Sequence, residues 1–155
     1  MLAAIRPDDV NVPLFLHVLG AMLLVGTLLA VVIAIALGRR RVDAADAQAL
    51  TRFGLRIVLL GVLPAWILMR VAAQWTASAE NLPEELEDST WLAIGYMAAD
   101  FGALLLLVAI VLSAIGLRRV RAGTGTVLGG AVGIVATVLL AAYLVAVWAM
   151  SAKPS

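Results

Sequence analysis

The 27 residues from Trp91 to Leu117 contain one charged side chain, Asp100, and no helix breaker stronger than glycine. As a helix this run is about 40 Å long, more than the roughly 30 Å of a bilayer's hydrocarbon core. A carboxylate placed in a span costs about 2.5–3.5 kcal/mol on insertion scales, so it is expected to face a bundle interior beside a partner. The rest of the chain must therefore supply a cation at matching depth.

Three further stretches have the same apolar character. The first span is predicted from about Pro13 to Leu37, with Asn11 as its N-cap, Pro13 in its first turn, and a stop at Gly38 before Arg39, Arg40 and Arg41. No basic segment precedes this run, which is also too long for a signal-peptide core, so it reads as a retained helix. Asp43 can cap a second helix that begins amphipathically, carries Arg52 and Arg56, spans about 51–75, and should bend at Pro64. A hydrophilic loop follows, in which Asn81 and Pro83 look like the start of a short surface helix. The third span covers 91–117, closed by Gly116 and by Arg118, Arg119 and Arg121, and the fourth covers about 125–150.

Of the 155 residues 64% are hydrophobic and 14% charged, the balance of a helical membrane protein, and no stretch is left over for a separate soluble core. The predicted fold class is all-α, an integral membrane up-down four-helix bundle forming one domain whose main partner is the lipid bilayer. The absence of cysteine excludes disulfides, thiolate metal sites and cysteine nucleophiles. A net charge of +1 gives no basis for binding nucleic acid or any other polyanion.

Arginine placement predicts orientation. Arg39, Arg40, Arg41, Arg52 and Arg56 lie around the first connection, and Arg118, Arg119 and Arg121 around the third, whereas the opposite side carries the acidic loop. The positive-inside rule then places both termini outside the cytoplasm, in the inner membrane of a bacterium, with Trp75, Trp91 and Trp148 as interfacial anchors at the outer ends. Gly125, Gly129 and Gly133 form two overlapping GxxxG steps, and Gly26, Ala30 and Ala34 a small-residue ridge, for packing within one chain or between chains.

With the topology set, the polar residues of the spans can be ordered by depth. From the outer ends His17 lies roughly 6 Å in, Arg70 and Tyr96 roughly 7 Å, Tyr143 roughly 10 Å and Asp100 roughly 13 Å. The inner half offers only hydroxyls such as Ser113, Thr137 and Thr27, which can bond their own helix carbonyls. Side chains lean toward a helix N-terminus, so Arg70 leans inward and Asp100 outward, and their depths converge. This predicts an Arg70–Asp100 ion pair between spans two and three, with Tyr96 one turn from Asp100 and with Trp66 and Gln74 one turn either side of Arg70. His17 and Tyr143 can reach the same cavity from spans one and four. Such a pair can equally fix helix neighbours without binding anything. Met69, Met97 and Met150 lie near His17 in depth, but no MxxM or HxxM spacing supports copper, and no metal site is expected.

The strings PLFLHVLGAMLLVG, LPAWILMRVAAQW, GYMAAD and VWAMSAKP span nearly the whole chain. In them the sequence resembles an uncharacterised four-span integral membrane family of high-GC Gram-positive bacteria, distantly related to the copper-resistance-D-like membrane domain. The resemblance implies a four-span inner-membrane protein with His17, Arg70, Gln74, Trp75 and Asp100 in recurring positions, and it carries no catalytic motif. The early histidine and Gly26 also resemble the opening of the four-span protoporphyrinogen oxidases, where such a histidine serves a b haem. That pattern's Leu-Pro-Arg is replaced here by Thr27, Leu28 and Leu29, and the third span has no lysine.

Three functional classes follow: a non-enzymatic protein whose outer cavity of His17, Arg70, Tyr96 and Asp100 handles a small ligand, ion or proton; a haem b redox protein with His17 as axial ligand; and an accessory subunit docking onto a larger membrane complex or onto its own copies. Soluble phosphoryl-transfer chemistry is excluded, since GTGTVLGG leads into a span and lacks the P-loop lysine. A single histidine leaves no Ser/His/Asp set.

Overall fold

The computed structural model describes residues 8–80, 90–123 and 127–152. In a bilayer every backbone N–H and C=O must be satisfied within the chain, and a helix does this segment by segment. The chain obeys: α1 is Asp8–Arg40, α2 is Ala44–Ile57, a π-helical turn is Val58–Val62, α3 is Leu63–Glu80, α4 is Thr90–Arg121 and α5 is Val127–Ala152. Among the described residues there is no strand. The segments α2, π turn and α3 run on without interruption as one span, so four helices are long and apolar enough to cross a membrane.

Each helix extends beyond its apolar run. Because α1 begins at Asp8, Asn11 lies inside the helix and is not its N-cap, and Pro13 falls in the second turn. A proline there removes one bond close to a helix end, where few intrahelical bonds exist to lose. Asp43 does cap α2, its Oδ1 accepting the Ala45 N–H at 2.8 Å. The helix expected at Asn81 and Pro83 lies outside the described residues, as does Gly125. At the other connection Gly123 takes φ +71°, a left-handed conformation that closes α4 with the Gly123 N–H on the Val120 carbonyl.

Pro64 alters the second span in a specific way. It has no N–H to donate, and its ring would collide with the Leu60 carbonyl in a regular α-helix. The turn just before it widens: the Leu63 N–H reaches back five residues to the Val58 carbonyl, and Val58–Val62 is π-helical.

The buried seams are narrow. Span one contributes Leu24, Leu28, Val31 and Ile35; span two Leu55, Val58, Val62, Ala65 and Met69; span four Val132, Ala136, Leu139 and Tyr143. Steps of three and four residues repeat, the knobs-into-holes spacing of antiparallel bundles. Outside the seams stand exposed Phe15, Met22, Leu29, Leu60, Phe101 and Leu104 among many others. Apolar surface on that scale is a lipid-facing surface. Since lipid tails are as apolar as leucine, burial within the bundle contributes little by itself, and cohesion rests on close packing.

Around the bundle span one packs on spans two and four, span three packs on span four, and span two meets span three. That last contact is made mainly by α2 and the π turn and only slightly by α3. At the arginine-rich end the two spans are also tied by Gln48, whose Nε2 donates to the Val120 carbonyl at 3.0 Å. Toward the other end α3 and α4 stand apart.

Candidate functional site

Where α3 and α4 separate, Arg70 links to Asp100, Nη2 to Oδ1 at 3.2 Å. The carboxylate is not enclosed as the sequence led us to expect. Asp100 is 71% exposed and Arg70 28%, so the pair lies toward the surface of the bundle and does not fill its interior. The physical reason is the poor contact between α3 and α4: a pair joining two separated helices cannot be covered by either.

Behind this link lies Tyr143 of α5, only 5% exposed. Its ring crosses Gly102 of α4, where any Cβ would collide with the hydroxyl and ring. The Trp66 indole neighbours the hydroxyl, and the Arg70 guanidinium acts on it through space. The Trp66 indole N–H stands near enough to the Tyr143 hydroxyl to bear on it, but the two do not meet in full hydrogen-bond geometry, and among the described residues neither buried atom has another partner. Buried polar groups nearly always have partners, and one left without costs about 1–3 kcal/mol.

The donor inventory limits what that is. An indole N–H donates only, a guanidinium donates only, and a phenol can donate. Together Trp66, Arg70 and Tyr143 form a donor set, with Asp100 as the resident acceptor at its rim. Such a set suits an acceptor-rich or anionic group.

The other expected members stand elsewhere. His17 bonds the Met69 carbonyl through Nδ1 at 3.1 Å, on the seam between spans one and two. A carbonyl only accepts, so Nδ1 is the donor in this bond. Tyr96 is exposed one turn from Asp100 without a hydrogen bond to it, and Gln74 is exposed with its side chain unbonded. His17 is thus tied to the backbone of the residue that precedes Arg70. Trp66 was legible only as a neighbour of Arg70, and its pairing with Tyr143 across the bundle had no sequence signal beyond the glycine at 102.

The packing glycines also redistribute. Gly129 faces Thr51 and Gly133 faces Ile35, both within the chain, whereas a Cβ on Gly26 would meet nothing within 4 Å. Ala34 is buried. The closest approach is at Gly20, where a Cβ would stand 2.6 Å from the Met69 backbone nitrogen. Thr27 and Thr137 bond their own helix carbonyls at 2.7 and 2.8 Å, but Ser113 departs from that expectation, its buried Oγ having no partner. Among the described residues no group of three or more His, Cys, Asp or Glu could hold a metal ion.

The fold defines a multi-pass helical membrane protein. Comparison with family models, with curated proteins and with solved structures found no match.

Proposed function

We propose that this is a protein of the bacterial inner membrane, both termini outside, that receives a small carboxylate or similar anion from the outer side in the cleft of Trp66, Arg70 and Tyr143. The orientation rests on the arginines gathered at one end of the bundle. The family reading, an uncharacterised four-span group of high-GC Gram-positive bacteria, rests on the strings quoted above. The observation that carries the binding role is the buried pair of Trp66 Nε1 and the Tyr143 hydroxyl, neither in full hydrogen-bond geometry, within the electrostatic reach of the Arg70 guanidinium. An arriving anion satisfies both donors and competes with Asp100 for Arg70, which couples binding to release of the link between α3 and α4. The role is one of binding and not of catalysis: the cluster holds no nucleophile with an adjacent base.

Acetate binding to the purified protein in lipid nanodiscs tests this by calorimetry. Each of Trp66→Phe and Tyr143→Phe removes one donor and is expected to weaken binding about tenfold or more, the value of one hydrogen bond to a charged group. Equal affinity in the parent and both variants would sink the reading.

A second reading, haem b on His17, draws on the Nδ1 bond to the Met69 carbonyl, which orients the ring and leaves Nε2 as the nitrogen that would ligate. Oxidised and reduced absorption spectra of protein purified from its native membrane decide it. A Soret band lost in His17→Ala supports the cofactor, and a featureless spectrum retires it.

A further inference from the structure

A second feature lies at the opposite, arginine-rich end. Between α1 and α5 runs an open groove of about 150 Å³, lined by Val32, Ile35, Ala36, Gly130, Gly133 and Ile134, with Arg39 at its head and Thr137 at its foot. From Gly130 to Thr137 it extends about 10 Å along α5. We propose that this groove holds one anionic phospholipid, an acyl chain lying along it and the phosphate on Arg39. The inference is independent of the anion cleft and requires only that the bundle sit in a bilayer.

Four observations carry it. First, the Arg39 guanidinium lies directly over Gly130, with its Cζ 3.6 Å and its Nη1 and Nη2 3.8 Å from where a Cβ on that glycine would be. Among the described residues it has no ion pair or hydrogen bond. A planar fork of donors without a counterion is the recognition geometry for phosphate oxygens.

Second, the groove below is apolar. The Thr137 hydroxyl, the polar group at its foot, is already committed to the Gly133 carbonyl at 2.8 Å.

Third, the two glycines differ. A Cβ on Gly133 would stand 2.9 Å from Ile35 Cγ2, so that glycine is required for α1 and α5 to approach. A Cβ on Gly130 would sit at ordinary contact distance, so helix packing does not demand glycine there. What its absent side chain does is keep the groove open beneath the guanidinium.

Fourth, Gly130 belongs to the first turn of α5, where unpaired N–H groups and the helix dipole favour negative charge. A free anion would use only the head of the groove. A helix of a second copy, about 10 Å across, is too wide for it. A lipid uses both ends, and basic pockets between spans are known head-group sites of the cytoplasmic leaflet.

The experiment is native mass spectrometry of the full chain released from mild detergent after exposure to equal phosphatidylglycerol and phosphatidylcholine. The parent is expected to retain one phosphatidylglycerol in about tenfold preference. Arg39→Gln, at an exposed helix end, and Gly130→Leu, which fills the groove, are each expected to abolish that preference while circular dichroism shows the helices intact. If Gly130→Leu does not fold, Thr137→Leu fills the groove from an exposed position instead.

No preference in the parent overturns the proposal, as does a preference that survives Arg39→Gln, which would assign it to the basic end at large. Loss in Arg39→Gln but not in the groove-filling variant, or displacement by inorganic phosphate alone, means a head-group anion without a lipid groove. A parent dimer that becomes monomeric in Gly130→Leu with lipid retention unchanged gives the groove to a second copy.

Discussion

Gly20→Leu is expected to unseat the first span from the second at a cost of about 1–3 kcal/mol, toward the upper end of that range, as overpacking of a close interface does. A Cβ at position 20 would stand 2.6 Å from the Met69 nitrogen and 2.7 Å from its Cα. Backbone in mid-helix cannot step aside as a flexible side chain can, so the spans must move apart. His17 lies three residues before Gly20, nearly one turn, and its bond to the Met69 carbonyl stretches with them. Unfolding midpoints in mixed detergent micelles measure the loss. Gly26→Leu is the matched control: with nothing within 4 Å it is expected to leave the midpoint unchanged. Equal effects from the two substitutions would show that the contact at Met69 is not what holds these spans.

The second large effect concerns Arg70 and Asp100. Either single alanine substitution leaves one charge of a span without its partner, at a cost of about 1–3 kcal/mol, since an uncompensated ion within a span carries part of its insertion penalty. The double substitution removes both charges and is expected to cost less than either single one. That ordering, read from a double-mutant cycle in the same micelles, distinguishes coupling from independent losses. Strictly additive costs would mean that the 3.2 Å contact contributes nothing. The exposure of Asp100 matters here, because water at the bundle surface would screen the charge and shrink both single costs together.

How far the sequence foretells this arrangement varies by level. The four spans are legible because runs above twenty apolar residues have few alternatives. Their ends are not, because an apolar run marks the thickness of lipid and a helix continues through polar residues such as Arg118–Arg121 as long as its backbone bonds close. Depth counting places Arg70 and Asp100 within reach of one another, and the structure has them at 3.2 Å. Which face each helix presents is the level that stays hidden. In water an apolar stripe marks the core, but here Leu24 is buried and Leu29 exposed with the same side chain. For this reason Gly26 looks as much like a packing glycine as Gly20 does, and the cleft's Trp66 and Tyr143 cannot be matched across the bundle. The buried pair of donors emerges only when three helices are seen together.

The widened turn before Pro64 also decides where the second span points its charges. Arg56 and Arg70 are fourteen residues apart, which at about 100° per residue puts them within about 40° of each other on one side of a uniform α-helix. A turn closed over five residues absorbs about one extra residue, so beyond it the azimuth falls back by about 100°. The two arginines then diverge by about 140°. Arg56 remains exposed at the basic end, while Arg70 is turned toward α4 and Asp100. One surplus residue thus lets a single rod address opposite compass bearings at its two ends.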